Sequence, residues 1–255
     1  MTIEPVAFFH SPMTSKFGIP RQSGLADALP GRIVFQPAYR HPDAVRGLED
    51  FDYLWLIWEF SANSQHSTLN SQLKSLNPHL SSLNTQLKSL NPHLSTLNPP
   101  PLTVRPPRLG GNKRIGVFAS RSPFRPNNLG LSCVYINKVE LTTNEGPVIH
   151  VMGADLMDGT PIYDIKPYVV YADSHPEARS GFVDTTEWKP LDVEIPETLA
   201  RQFSADELKA LRQVLAQDPR PRYHDDPNRI YGMPFAGRDV RFQVADRVLR
   251  VVDVK

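Results

Sequence analysis

The segment SRSPFRPNNLG, residues 120–130, carries two arginines, two prolines and two asparagines between strand-like runs. Arg121 and Arg125 lie four apart, while Pro123 and Pro126 remove backbone donors and oppose a helix or central strand. An ordered loop presenting guanidinium forks is expected, and such forks suit carboxylates and phosphates. KFGIPRQSGL (16–25) and DLMDGTPIYDIKPY (155–168) read as similar polar loops at strand ends, where a rigid scaffold presents binding residues. Asp158-Gly159 is a turn signal. Asp155, Asp158 and Asp164 lack EF-hand spacing and fit turn capping better than a metal, so no metal is expected. No G-x-G-x-x-G after a strand, Walker lysine motif or H-E-x-x-H is present. LGGNKRIG (109–116) has the composition of a turn, the eight histidines are scattered, and no Ser-His-Asp set stands out.

The elements that must hold these loops are short strands. PVAFF (5–9), GRIVFQP (31–37), YLWLIWEF (53–60), RIGVFAS (114–120), LSCVYINKVEL (131–141), PVIHVMGADL (147–156) and PYVVYAD (167–173) are β-branched and aromatic, bounded by Gly, Pro or Asn. Few are separated by helix-sized segments, so the fold class is mainly β, an antiparallel or mixed barrel. After about residue 175 the texture changes. SADELKALRQVLAQ (204–217) predicts a helix with Ser204 as N-cap and Glu207 closing a capping box, and two strands follow it. That defines two domains, 1–175 and a small α+β domain at 176–255.

Residues 67–80 recur almost unchanged as 81–94, with leucines at 69, 73, 76, 80, 83, 87, 90, 94 and 97. The steps of four and three resemble a coiled-coil seam, but Pro78 and Pro92 break it. A low-complexity insertion over 64–100 in a surface loop is the expectation, since loops absorb added length at small entropic cost. Forty per cent hydrophobic residues and a net charge of +1 describe a globular chain without a whole-molecule basic field, so nucleic-acid binding would rest on local patches. The single cysteine, Cys133, excludes a disulfide framework and reads as an inert thiol in an apolar run. The start lacks a signal-peptide pattern and the longest apolar run, 53–58, is too short to span a bilayer; a cytoplasmic protein is expected.

Four stretches together, GIPRQSGL, DAVRGLEDFDYLWLIWEF, TVRPPRLGGNKRIGVFASRSPFRPNNLGLS and LMDGTPIYDIKPYVVYAD, resemble the TsaA-like domain of the TrmO family. LAQDPRPRY with the closing strands resembles that family's small C-terminal domain. The resemblance implies a β-barrel methyltransferase, usually a homodimer, that uses S-adenosyl-L-methionine to methylate N6 of threonylcarbamoyl-adenosine 37 in tRNA. Carried over by position, it implies cofactor contacts from Pro20, Arg21 and Gln22, from Phe60 and Ser61, from Arg121 and Leu131, and from Met157, Asp158, Gly159 and Thr160. Arg125 and Asn127, in the same loop as Arg121, are candidates to face the RNA. Two departures stand out: Asn128 occupies a position where the family has proline, and FSANSQHS lacks the family's histidine near the end of strand 53–60.

Arg220 and Arg222 beside Tyr223, in a proline-stiffened loop, have a composition suited to phosphates and base stacking. A proton acceptor is not singled out, and Asp158, Asp155 and Tyr163 remain equal candidates. Two rivals remain: a non-catalytic RNA-binding β-barrel, which would explain the basic loops, and a partner-binding protein organised by the leucine repeat, which would explain residues 67–97 alone.

Overall fold

The structure is a computed structural model that describes residues 3–60, 102–106, 109, 113–220 and 226–255. These form two compact units, one of residues 1–59 with 131–255 and one of residues 60–130. The whole 64–100 insertion, with its repeat at 67–94, lies outside the described residues.

In the first unit, six strands close into a barrel in the order β1 (Ala7–His10), β2 (Pro30–Phe35), β7 (Val148–Met152), β6 (Leu129–Glu140), β3 (Tyr53–Glu59) and β8 (Thr160–Pro167). Strand β3 shows why the sequence takes this form. Leu54, Leu56 and Trp58 are buried while Tyr53, Trp55, Ile57 and Glu59 are less so, the period of two that one covered face requires. Phe9, Ile33, Val134, Ile136, Ile149, Val151 and Ile162 join them as barrel-strand core residues, so side chains fill the interior of a small barrel.

Closing the barrel requires a strand within 155–168, where the polar sequence predicts a loop. Residues 160–167 pair with both β1 and β3, because Ile162 fills the core while the polar Tyr163 and Asp164 stay half-exposed. The expected strand over 167–173 is instead the end of β8 followed by a short helix, Val170–Asp173, whose Val170 and Tyr171 are exposed and have no sheet to cover them. In the second unit, the expected strand at 114–120 shrinks to β5 (Ile115–Gly116), paired with β4 (Thr103–Val104), before the chain turns into a 3-10 helix at Val117–Ala119.

The C-terminal part is a four-stranded sheet, β10 (Tyr231–Phe235), β11 (Arg238–Ala245), β12 (Val248–Val254) and β9 (Asp192–Glu194) in that order. The helix Ala205–Ala216 buries Ala210, Leu211, Val214 and Leu215. Its capping box is present as expected: Ser204 Oγ accepts from the Glu207 N–H, and the Glu207 carboxylate accepts from the Ser204 N–H. The core around this helix also contains Met13, Ala26, Ala28 and Leu29, from the β1–β2 loop.

Candidate active site

Two barrel connections meet at one rim, where β3 also ends. β1 ends and β2 begins there, β7 ends and β8 begins there, and Trp58 near the end of β3 pairs with Ile162 near the start of β8. Backbone bonds stitch the β1–β2 loop to the β7–β8 connection: Gly24 N–H donates to Gly153 O (2.8 Å), Gly153 N–H to Leu29 O (2.8 Å) and Asp158 N–H to Met13 O (2.8 Å). The two loops bearing the PRQ and DGT motifs are therefore one assembly. Within it, Met157–Thr160 is a self-locked turn. Thr160, 2% exposed, donates its hydroxyl to Met157 O (2.7 Å), and Gly159 takes a φ of +75°, a left-handed conformation that favours glycine. The Asp158 carboxylate accepts from Ser11 N–H (3.1 Å) and lies 3.3 Å from His10 Nδ1. Both residues line a 510 Å³ cleft on the barrel wall with Arg32, Asn137 and His150.

Pro20 is buried and Arg21 exposed, its guanidinium 5.4 Å above the Trp188 ring; Gln22 donates to Arg21 O (2.6 Å). Leu131, near the start of β6, exposes 58% of its surface, while its neighbours Gly130 and Ser132 are buried.

The remaining titratable candidates differ sharply in setting. Trp58 Nε1–H donates to Ser132 Oγ (2.9 Å), and the buried Ser132 hydroxyl donates to Asp155 (2.5 Å), so Asp155 ends a polar chain rooted in the barrel interior. Tyr163 is the extra residue of a β-bulge opposite Ile57–Trp58, a feature often found beside active sites. It donates its hydroxyl to Glu59 (2.6 Å), and burial, then Glu59, pushes its pKa up to about 12. At neutral pH it is a donor. Burial, reinforced by Asp173, also pushes the Cys133 thiol up, consistent with an inert thiol.

In the second unit, the forks of the RSPFRPN loop are used differently. Arg125 Nη1 donates to Val117 O (3.1 Å) and Ser120 O (2.7 Å), and its guanidinium lies 5.8 Å over Phe118. That arginine shapes its own loop. Arg121 and Asn127 are exposed. Asn128 takes a φ of +52°, which proline cannot adopt, and the donor that proline would lack is bonded to Arg125 O (3.3 Å). The departure at this position thus closes a turn instead of loosening it. Phe60 N–H donates to Asn128 O (2.9 Å).

Arg220 is only 14% exposed, with Nε 2.9 Å and Nη2 3.1 Å from the two Asp218 carboxylate oxygens. Ser61, Arg222 and Tyr223 lie outside the described residues. Sequence reasoning missed His10, Ser132, Glu59 and Trp188, because each gains its meaning from a neighbour distant in the chain. Among the described residues no group of three His, Cys, Asp or Glu could hold a metal, and no helix is long and apolar enough to cross a membrane.

Comparison with known proteins matches this architecture in both parts. The model of the tRNA-methyltransferase O N-terminal domain matches residues 8–86 and 89–174, and that of the TrmO C-terminal domain matches 189–255. A tRNA (adenine(37)-N6)-methyltransferase of Escherichia coli (strain K12) is 34% identical over 252 residues, 95% of this chain and 93% of that protein. One from Eikenella corrodens is 44% identical over 142 residues, 54% of this chain and 77% of its own. The crystal structure of TrmO from Pseudomonas aeruginosa aligns with a TM-score of 0.69 at 27% identity, covering 100% of this chain and 98% of that one. With both domain models matched in order and the barrel shared with solved relatives, the chain belongs to the TrmO family.

Proposed function

We propose that this protein is an S-adenosylmethionine-dependent methyltransferase acting on N6 of adenosine 37 in tRNA. The observation that carries the reading is full-length similarity to the Escherichia coli tRNA (adenine(37)-N6)-methyltransferase, at 34% identity over 95% of the chain. The acceptor is the threonylcarbamoyl derivative of that adenosine, the protein works as a homodimer in the cytoplasm, and it divides into a catalytic domain at 1–175 and a smaller one at 176–255.

The residues present suit the cofactor. Arg21 and Arg121 are exposed guanidiniums matched to an amino-acid carboxylate, Gln22 and Asp158 can bond amino and hydroxyl groups, and Leu131 offers apolar cover. Pro20, Phe60, Ser61, Met157, Gly159 and Thr160 complete the proposed set, with the side of Gly159 where a Cβ would project open. When bound, the sulfonium supplies an electrophilic methyl group. The chain's own task is to orient the acceptor amine and take its proton, and alignment of bound reactants provides much of the acceleration. Asp155 and Asp158 are the carboxylates at the rim able to accept that proton; Tyr163, holding its own, orients instead. For RNA, the exposed Arg105, Lys113 and Arg114, together with Arg125, Asn127, Arg220, Arg222 and Tyr223, are the proposed contacts, and Arg125 and Arg220 also bond within their own loops.

Methylation of tRNA carrying the threonylcarbamoyl group, compared with tRNA lacking it, tests the proposal. Transfer to the first alone is expected; transfer to neither overturns the function, and equal transfer to both overturns the acceptor.

A further inference from the structure

Residues 11–29, which carry Pro20–Gln22, form no strand or helix, yet they are ordered and partly buried. A loop of this length surrenders much conformational entropy on ordering and needs anchors. The anchors come from the C-terminal part of the chain. On the helix Ala205–Ala216, Gln213 Oε1 accepts from Ala28 N–H (2.8 Å) and its Nε2 donates to Asp27 Oδ1 (2.5 Å). Both ends of the amide are used, so turning it over would set like against like at both contacts. Gln217, one turn further along, donates to Leu25 O (3.3 Å). At the other end of the loop, Ala236 N–H donates to Pro12 O (3.0 Å), and Gly18, at a φ of +93°, packs against Met233 so closely that a Cβ has no room. Trp188 lies under the Arg21 guanidinium. The loop is thus gripped along its length by the sheet and helix of the C-terminal part.

We infer that Gln213 is a positioning residue of the methyl-donor site: its amide clamps the β1–β2 loop in the form that presents Pro20, Arg21 and Gln22. The C-terminal part then serves donor binding as well as any contact with RNA. This rests on the donor role proposed for Pro20–Gln22, since a clamp on a loop unrelated to the donor would leave donor affinity alone.

The experiment uses the full chain and three variants, with S-adenosylmethionine binding by calorimetry, tRNA binding, methylation kinetics and Tm. Losing two hydrogen bonds, Gln213→Ala should weaken donor binding and raise the donor KM about tenfold. At saturating donor, kcat and tRNA affinity should stay within about twofold of the parent, the split that separates positioning from general loss of structure. Gln213→Glu keeps the acceptor for Ala28 but sets a carboxylate against Asp27, so it should be as weak. Adding Asp27→Asn to that variant restores the bond to residue 27 with its polarity reversed and should return donor affinity to within about twofold of the parent.

Parent-like donor affinity in Gln213→Ala overturns the clamp, as does an equal loss of donor and tRNA affinity with falling Tm. If Gln213→Ala does not fold, the other two variants decide: no gain in donor affinity on adding Asp27→Asn overturns it. A parent that binds the donor but methylates no tRNA overturns the proposed acceptor, while the clamp is still judged on the binding data. A parent that binds no donor overturns both.

Discussion

The two arginines of the RSPFRPN loop divide their work. Arg125 is committed to the carbonyls of Val117 and Ser120, which fixes the turn from which Arg121 projects. Arg121→Ala should therefore weaken S-adenosylmethionine binding by at least about 1.5 kcal/mol, the scale of one charge-assisted hydrogen bond. Arg125→Ala should lower Tm through the loss of two such bonds, with increased proteolysis of the loop between 117 and 128. Calorimetry and a melting curve on each variant separate the pair, and a stable, tight-binding Arg121→Ala protein refutes the assignment. Tyr163 gives a pH-dependent counterpart. Its folded pKa of about 12 lies above its ordinary value of 10.0, so its contribution to stability is complete below pH 10 and is lost as the pH rises through about 12. Tyr163→Phe should abolish that part of the alkaline loss of stability, measured by denaturation across this window.

The helix Ala205–Ala216 is where local sequence and local structure agree most fully. The Ser204 backbone N–H bond, against the opposing effect of burial and with help from the Ser204 side chain and Arg238, holds the Glu207 carboxyl below the usual carboxylate range. The sign follows directly: a depressed folded pKa contributes stability above the unfolded value, and this is lost as the pH falls through the folded one. Glu207→Gln keeps a cap acceptor without a titrating group, so its stability should fall less steeply on acidification than the parent's. Ser204→Ala removes one half of the capping box and should cost about 1 kcal/mol at neutral pH. If Gln213 and Gln217 hold the β1–β2 loop from this helix, Ser204→Ala should also loosen the donor site slightly, visible as faster hydrogen exchange at Leu25–Leu29.

For the whole molecule, the duplicated stretch is expected to be dispensable. Residues 67–80 and 81–94 are near copies with Asn-Pro breaks at 77–78 and 91–92, and the motifs on either side of them resemble those of the family. Deleting 64–100 should leave a folded protein that binds the donor normally and methylates tRNA within about threefold of the parent, because shortening a loop changes closure entropy only slowly. A soluble deletion variant that binds the donor but has lost methylation shows instead that the insertion takes part in handling RNA.

Sequence by itself determined the mainly β class, the helix 205–216 with its capping box, and the loops that carry the PRQ, RSPFRPN and DGT motifs. Each rests on short-range chemistry: period-two burial, a Ser-x-x-Glu cap, and prolines or glycines that stop regular structure. The tertiary structure alone decided which loops are joined and which polar groups are already engaged. Strand β8 was hidden because its alternation, with Thr160 and Ile162 inward and half-exposed polar neighbours, shows only once β1 and β3 flank it. Arg220 and Arg125 looked like open cations in the sequence, yet Asp218 and the carbonyls of Val117 and Ser120 hold them. The Gln213 clamp reaches across 185 residues, and Trp58 to Ser132 across 74. Such partners are set by how the barrel closes and the second sheet packs, and no local pattern encodes them. Local propensity says which residues can bond; only the packed chain says which of them are already spent.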